Sequence, residues 1–285
     1  LVNLTDDAAR VNALISGQVD VIAGVPTSQI GVLEGNQELS VISSETGGWN
    51  PITMRVDVAP FDDPRVREAF RLMADRQQMV DQVLAGRGTP ANDIFARFDP
   101  AYNASLPQRE VNIERAKALL AEAGQSDLEV DLVTAPVAAG LVEAAQSFAE
   151  MASGAGVKVN VLRVDGSTFF TNHFLNAPLS QSYWVTRNYL LQAADSMMPD
   201  SPYNETHWSH EEWQELINTA FQTADDAERA ELIQRAQEIE HREGGYINWG
   251  WYDIADAARV GVNGIVPSRT GVSLAGYRFR SFWLA

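Results

Sequence analysis

The 285 residues are 45% hydrophobic and 21% charged, an ordinary balance for a globular fold, and the length favours two lobes over one core. Lys and Arg number 21 against 38 Asp and Glu; the formal charge of −17 repels phosphate backbones and anionic lipid, which argues against nucleic-acid binding and polybasic membrane docking. With no cysteine there is no disulfide, thiolate metal site or cysteine nucleophile, and no apolar run approaches the roughly 20 residues of a transmembrane helix.

The chain opens on LVNLTDDAARVNALISGQVDVIAGV, with neither an initiator methionine nor a basic signal region. It reads as the interior of a domain, and the expectation is a fragment of a longer protein. Thr5 followed by Asp6 and Asp7 predicts an N-cap with favourable helix-dipole charges, and Val11, Leu14 and Ile15 form a helical stripe that stops at Gly17. Residues 19–25, 38–43 and 52–58 predict three strands. After Pro60 the apolar period lengthens to about 3.6. Asp63 caps, Pro64 takes the first turn, and Val66, Phe70, Met73 and Ala74 share a face; Met79, Val80, Val83 and Leu84 continue in a second helix ending at Gly86. Residues 89–108 contain Pro90, Pro100 and Pro107 and predict a long loop, after which Asn112 caps a helix closed by Gly124.

The next block runs strand, long helix, strand: LEVDLVTA, AAGLVEAAQSFAEMASGAG, VKVNVLRV. That order predicts a right-handed βαβ crossover between parallel strands. Two helices, near 209–223 and 225–242, lead into YINWGWYDIADAARVGV, which returns as extended chain. The fold class is α/β.

Asp62, Asp63, Arg65, Arg67, Asp75 and Arg76 crowd into one short stretch. Arg71 and Asp75 stand at i, i+4, Glu68 lies three residues from both Arg65 and Arg71, and the acids sit at a helix start, so capping and ion pairing account for the cluster better than a catalytic base does. His207 and His210 beside Glu211 and Glu212 could hold a divalent ion, but Ser209 followed by two acids is the pattern of a helix start. The patterns GxSxG, SxxK and the P-loop are missing, and Gly86–Gly88 lacks the third glycine of a dinucleotide fingerprint. No catalytic residue, cofactor or metal is therefore assigned. Among the tryptophans, Trp208, Trp213 and Trp283 read as core. Trp49 and Trp184 sit among small or polar residues (TGGWNP, SQSYWVTRN), which suits a ligand cleft, with core packing the alternative for each.

Four segments carry a resemblance. APFDDPRVREAFRLMADRQQMVDQVLAGRGTPA, IERAKALLAEAG, ADDAERAELIQRAQEI and ALISGQVDV resemble, in the family's order, motifs of the periplasmic solute-binding proteins of ABC importers, in the peptide/nickel/opine class (solute-binding protein family 5). One departure is Leu232–Ile233, where a Leu-Tyr pair is common. The resemblance spans essentially the whole chain and specifies the family far better than the solute. It implies a periplasmic-binding-protein-like class II fold with a βαβ-containing mixed sheet, two lobes and a ligand enclosed by hinge closure. It also implies that the charged stretch is scaffold and that the N-terminal half of the protein is missing.

On this chain the strands crossing between lobes are expected near 45–52 and 251–259. Residues 1–45 and 260–285 would be lobe I remnants and 46–259 the ligand-binding lobe II. The implied partners are a small-molecule solute, a membrane permease and the missing N-terminal part, and the implied location is periplasmic or extracellular, with a lipid anchor in the missing part a further possibility. An enzyme or sensory receptor domain on the same fold is the competing reading. In peptide-binding members a lobe II strand carries Trp followed shortly by an Asp that pairs with the peptide's α-ammonium group. Aligned on Trp184, Arg187 stands at or near that Asp, so the charge is reversed and the expected solute presents an anionic or hydroxyl-rich group. The candidate ligand-binding residues are Tyr183, Trp184, Val185, Arg187, Trp49 and Asn50, with pairing of Arg187 to Asp195 as the alternative.

Overall fold

The computed structural model describes residues 1–4 and 6–285. The expected cap Thr5 lies outside the described residues; Asp6 caps the first helix, Asp7–Ile15, its carboxylate accepting the Ala9 N–H at 2.7 Å. Two long antiparallel strands, Leu39–Trp49 and Gly250–Arg259, form the axis of the molecule. They pair from Leu39 opposite Arg259 to Ser44 opposite Ile254, slip, and resume at Gly48 opposite Tyr252. Gly48 is required by packing, since a Cβ there would stand 2.3 Å from the Tyr252 ring. The short strands Val21–Ile22 and Gly88–Pro90 add to the free edge of Gly250–Arg259.

At the far end of this axis Val11, Leu14, Ile22, Ile30 and Leu33 pack on Leu39, Ala255 and Ala257. The helical stripe read from Val11 and Leu14 is buried here, whereas Ile15 is exposed. The C-terminal flank does not join this sheet: Val262–Asn263 pairs with Trp283–Leu284 in a hairpin of its own. Trp283 is thereby 60% exposed, which corrects its reading as core. Trp208 and Trp213 are buried as expected.

The central region holds a three-stranded antiparallel sheet in the order Leu179–Gln181, Ile52–Met54, Tyr246–Ile247. Beside it the βαβ block is realised: Glu129–Thr134 pairs in parallel with Lys158–Arg163 across the helix Leu141–Ser153, as a ladder of its own. One apolar core lies under these elements, built from Ile52, Phe61, Val66, Phe70, Leu120, Phe148 and Trp249. A second, mostly aromatic core gathers Trp49, Phe95, Tyr189, Trp208, Trp213, Tyr246 and Trp251.

The charged stretch holds this scaffold together in a different way from that predicted. Asp63 caps the helix Pro64–Met73, as expected. Arg71, however, is fully buried and does not pair with Asp75. It donates to the carbonyls of Gly244 at 2.5 Å and Arg242 at 2.9 Å, and Arg67 donates to those of Glu243 at 3.2 Å and Phe61 at 2.7 Å. The Arg242, Glu243 and Gly244 carbonyls end the helix Asp226–Glu243, where no backbone donor remains and the macrodipole favours a cation. Burial lowers the Arg71 pKa to about 9, and the carbonyls answer the charge that remains. Arg76 forks onto Asp93 at 2.7 Å and Arg109 Nε reaches the same carboxylate at 2.7 Å, all with the carboxylate fully buried. The helix Glu211–Gln222 is capped by His210, whose Nδ1 accepts from Trp213 N–H, and not by Ser209.

Candidate functional site

At the end of the strand Leu39–Trp49, a two-way backbone bridge joins Trp49 to Trp184: Trp49 N–H donates to Trp184 O at 3.0 Å, and Trp184 N–H to Trp49 O at 2.9 Å. The bridge pins the segment 182–187 where it leaves the three-stranded sheet. Directly opposed residues of an antiparallel bridge share a face, and both indoles are buried in the same aromatic core, Trp49 1% and Trp184 7% exposed. The Trp49 ring enters the aromatic core, stacked on Phe95 at 5.8 Å and edge-on to Tyr246 at 5.2 Å. It is 1% exposed and offers no face to a solute, so the core alternative is the one realised for Trp49.

Trp184 does line a cavity of about 400 Å³, together with Phe170, Phe174, Tyr183, Val185, Arg187, Tyr203 and Glu205. Its ring is edge-on to Tyr203 at 6.2 Å, and the Arg187 guanidinium lies 5.1 Å from the ring centroid. Arg187 is also ion-paired with Asp195 in the helix Tyr189–Ser196, so the pairing alternative is realised and the guanidinium already holds a carboxylate. Asp195 and Arg187 are both partly exposed, which leaves this pair open to exchange with a soluble anion.

Asn50 belongs elsewhere. It lines a second cavity, of about 280 Å³, with Arg10, Val25, Leu84, Ala139, Tyr252 and Asp253. Its Nδ2 donates to Ala139 O at 3.0 Å, while its buried Oδ1 has no partner. Burial, with Glu45 nearby, raises the Asp253 pKa. The six candidate residues therefore divide: Tyr183, Trp184, Val185 and Arg187 share one cavity, Asn50 lines another, and Trp49 lines neither.

One residue at the first cavity escaped the sequence reading. Glu205 is 4% exposed; Ser182 Oγ donates to its Oε1 at 2.5 Å and Tyr246 O–H to its Oε2 at 3.2 Å. The Trp184 indole N–H lies near the same carboxyl but outside ordinary hydrogen-bond geometry. Burial pushes its pKa up to about 7 against these donors. The available signal was an acid in SPYNETHW with no Lys or Arg beside it, which is too common a pattern to single out. His207 stands against Asp57 at 3.1 Å and Leu175 O at 2.9 Å, and His210 serves as a cap. Among the described residues no group of three or more His, Asp or Glu is placed to hold a metal, and no helix is long and apolar enough to cross a membrane.

The model of the bacterial extracellular solute-binding proteins, family 5 Middle, matches residues 2–204. The glutathione-binding protein GsiB of Salmonella typhimurium is 24% identical over 262 residues, a match covering 86% of this chain and 50% of that protein. Among solved structures, DppA from Helicobacter pylori, an ABC transporter-associated periplasmic binding protein in complex with the peptide STSA, superposes with a TM-score of 0.85 at 20% identity. That match covers 99% of this chain and 56% of DppA. The binding protein AgaA of A. tumefaciens R10, in complex with agropinic acid, gives 0.86 at 21% identity and covers 99% and 59%. The chain thus spans about half the length of the curated relatives it matches.

Proposed function

The chain belongs to the bacterial extracellular solute-binding proteins of family 5, and we propose that it acts as part of the substrate-binding component of an ABC-type importer, capturing a small polar solute for a membrane permease. The observation that carries this reading is the cavity around Trp184: aromatic walls, one guanidinium and one buried carboxyl, beside the paired long strands. Cavities with mostly apolar walls and a few polar groups are suited to orienting a small molecule. The role is binding without turnover, outside the cytoplasm; the rest of a longer protein, including any lipid anchor, would complete the second lobe.

In this reading residues 46–259 form the ligand-binding lobe and residues 1–45 and 260–285 belong to the other. The separate apolar cluster around Leu14 and Leu33, and the slip between Ser44 and Gly48 on the connecting strand, support that division. Tyr183, Trp184 and Val185 pack the solute's apolar parts. Arg187 takes an anionic or hydroxyl-rich group by exchanging its contact with Asp195. A thermal-shift screen of the complete protein against peptides, opine-like compounds and organic acids tests this: a solute should raise the melting temperature without being consumed, and Arg187→Asp should abolish that shift. Tight binding of free dipeptides through their ammonium groups at the Arg187 position would overturn the assignment of Arg187.

A further inference from the structure

We propose that Glu205 and the rings around it form a subsite for an organic cation, an ammonium or guanidinium group carried by the solute. The inference rests on the reading of the Trp184 cavity as the solute site and adds the sign of charge that its inner end accepts.

Three observations carry it. First, the carboxyl is buried with only neutral donors, Ser182 and Tyr246, and no Lys, Arg or His pairs with it among the described residues. The one guanidinium lining the cavity, Arg187, is held by Asp195. A buried carboxylate without a counter-charge is costly, and a ligand cation removes that cost. Ser182 and Tyr246 each occupy one acceptor position, and a carboxylate offers about four. Second, the rings form a continuous array: Phe170 to Phe174 at 5.7 Å, Phe174 to Tyr203 at 6.4 Å, and Tyr203 to Trp184 at 6.2 Å. Ring faces attract cations and gain nothing from anions. Third, the outer rings of the array are open to solvent: Phe170, in the π-helical turn Phe169–His173, is 48% and Tyr203 47% exposed.

A solute bearing both signs would then span the cavity, its anionic part on Arg187 and its cationic part on Glu205. The titratable groups around Glu205 are Tyr246 on the central sheet, Tyr183 and Arg187 on the segment after it, Asp195 behind Arg187, and Tyr203. Burial raises the Tyr246 pKa well above its usual value, and the Arg187–Asp195 pair cancels internally. Burial holds the Glu205 carboxyl up to about 7.

Three probes of one shape test the proposal on the full chain: phenethylammonium, 2-phenylethanol and phenylacetate, titrated by calorimetry and by tryptophan fluorescence. At about pH 8 phenethylammonium should bind roughly tenfold more tightly than the neutral alcohol, and the preference should fade towards about pH 5 as Glu205 takes up its proton. Glu205→Gln should abolish the preference at both pH values while melting at least as high as the wild type. Tyr203→Ala should weaken phenethylammonium several-fold and leave the pH dependence in place. Retained preference in Glu205→Gln, phenethylammonium binding no tighter than 2-phenylethanol at about pH 8, or no saturable binding of any probe would overturn the cation subsite. A complete protein that still captures another solute would in those cases leave the importer reading standing; a complete protein that captures none would remove that reading instead.

Discussion

The scaffold around Arg71 and the cavity around Trp184 use the same residue types in opposite ways. In the scaffold Arg71 is answered by the last carbonyls of a helix and Asp93 by two guanidinium groups. At the cavity, Arg187 shares its charge with a partly exposed Asp195, and Glu205 is buried with no counter-charge. Charge that is fully compensated is structural, and charge left over at a cavity is available to a ligand. The density of charged residues in the sequence, highest in the scaffold, points the wrong way.

This contrast can be broken most forcefully at Asp93. Replacing it with Ala leaves Arg76 and Arg109 buried and unpaired, and should lower stability by about 3–5 kcal/mol, read from urea unfolding. A loss as small as that of a surface pair would show that water enters the scaffold and that the two regions do not differ.

Glu205→Gln should act in the other direction. Its carboxyl is raised from 4.5 to about 7, so the neutral form is the favoured one in the folded state. Its contribution to wild-type stability is then fully present below about 4.5 and is lost as the pH rises through about 7, by on the order of 3 kcal/mol in total. The Gln variant should lack that loss and be the more stable protein at about pH 8, with the two converging at about pH 4. Parallel melting curves across this window would mean that Glu205 stays solvated.

Smaller effects sharpen the comparison. Arg187→Ala removes a partly exposed pair and should change stability by less than about 1 kcal/mol, while removing the response to anionic solutes in a thermal-shift assay. Tyr183, 43% exposed, should be smaller still: Tyr183→Ala should alter stability by about 0.5 kcal/mol or less and show itself only in solute affinity.

Much of the fold was legible because its signals are local. Asp63 and Pro64, Asn112 and Gly124, and the strand–helix–strand order at 129–163 each follow from neighbouring residues, and each was realised. Arg71 was misread for the opposite reason. Its partners, Arg242 and Gly244, lie far along the chain, and the nearby Asp75 instead caps the next helix through Gln78 N–H. The exposure of Trp283 depends on a strand partner some twenty residues back, whereas the cap from His210 is local and was assigned to Ser209 one residue early.

At the cavity, the small and polar neighbours of Trp49 and Trp184 made them equal candidates. A backbone bridge between segments more than a hundred residues apart brings both indoles into one aromatic core, and Trp184 alone of the two also borders the cavity. The sequence by itself determined the α/β class, the helix caps, the family motifs and the excess of negative charge, since these depend on composition and on residues within a turn or two of one another. Only the tertiary structure decided which charges are answered, because desolvation and pairing depend on what the fold brings alongside. That is why Arg71 belongs to the scaffold and why Glu205, unremarked in the sequence, stands at the cavity with its charge uncompensated.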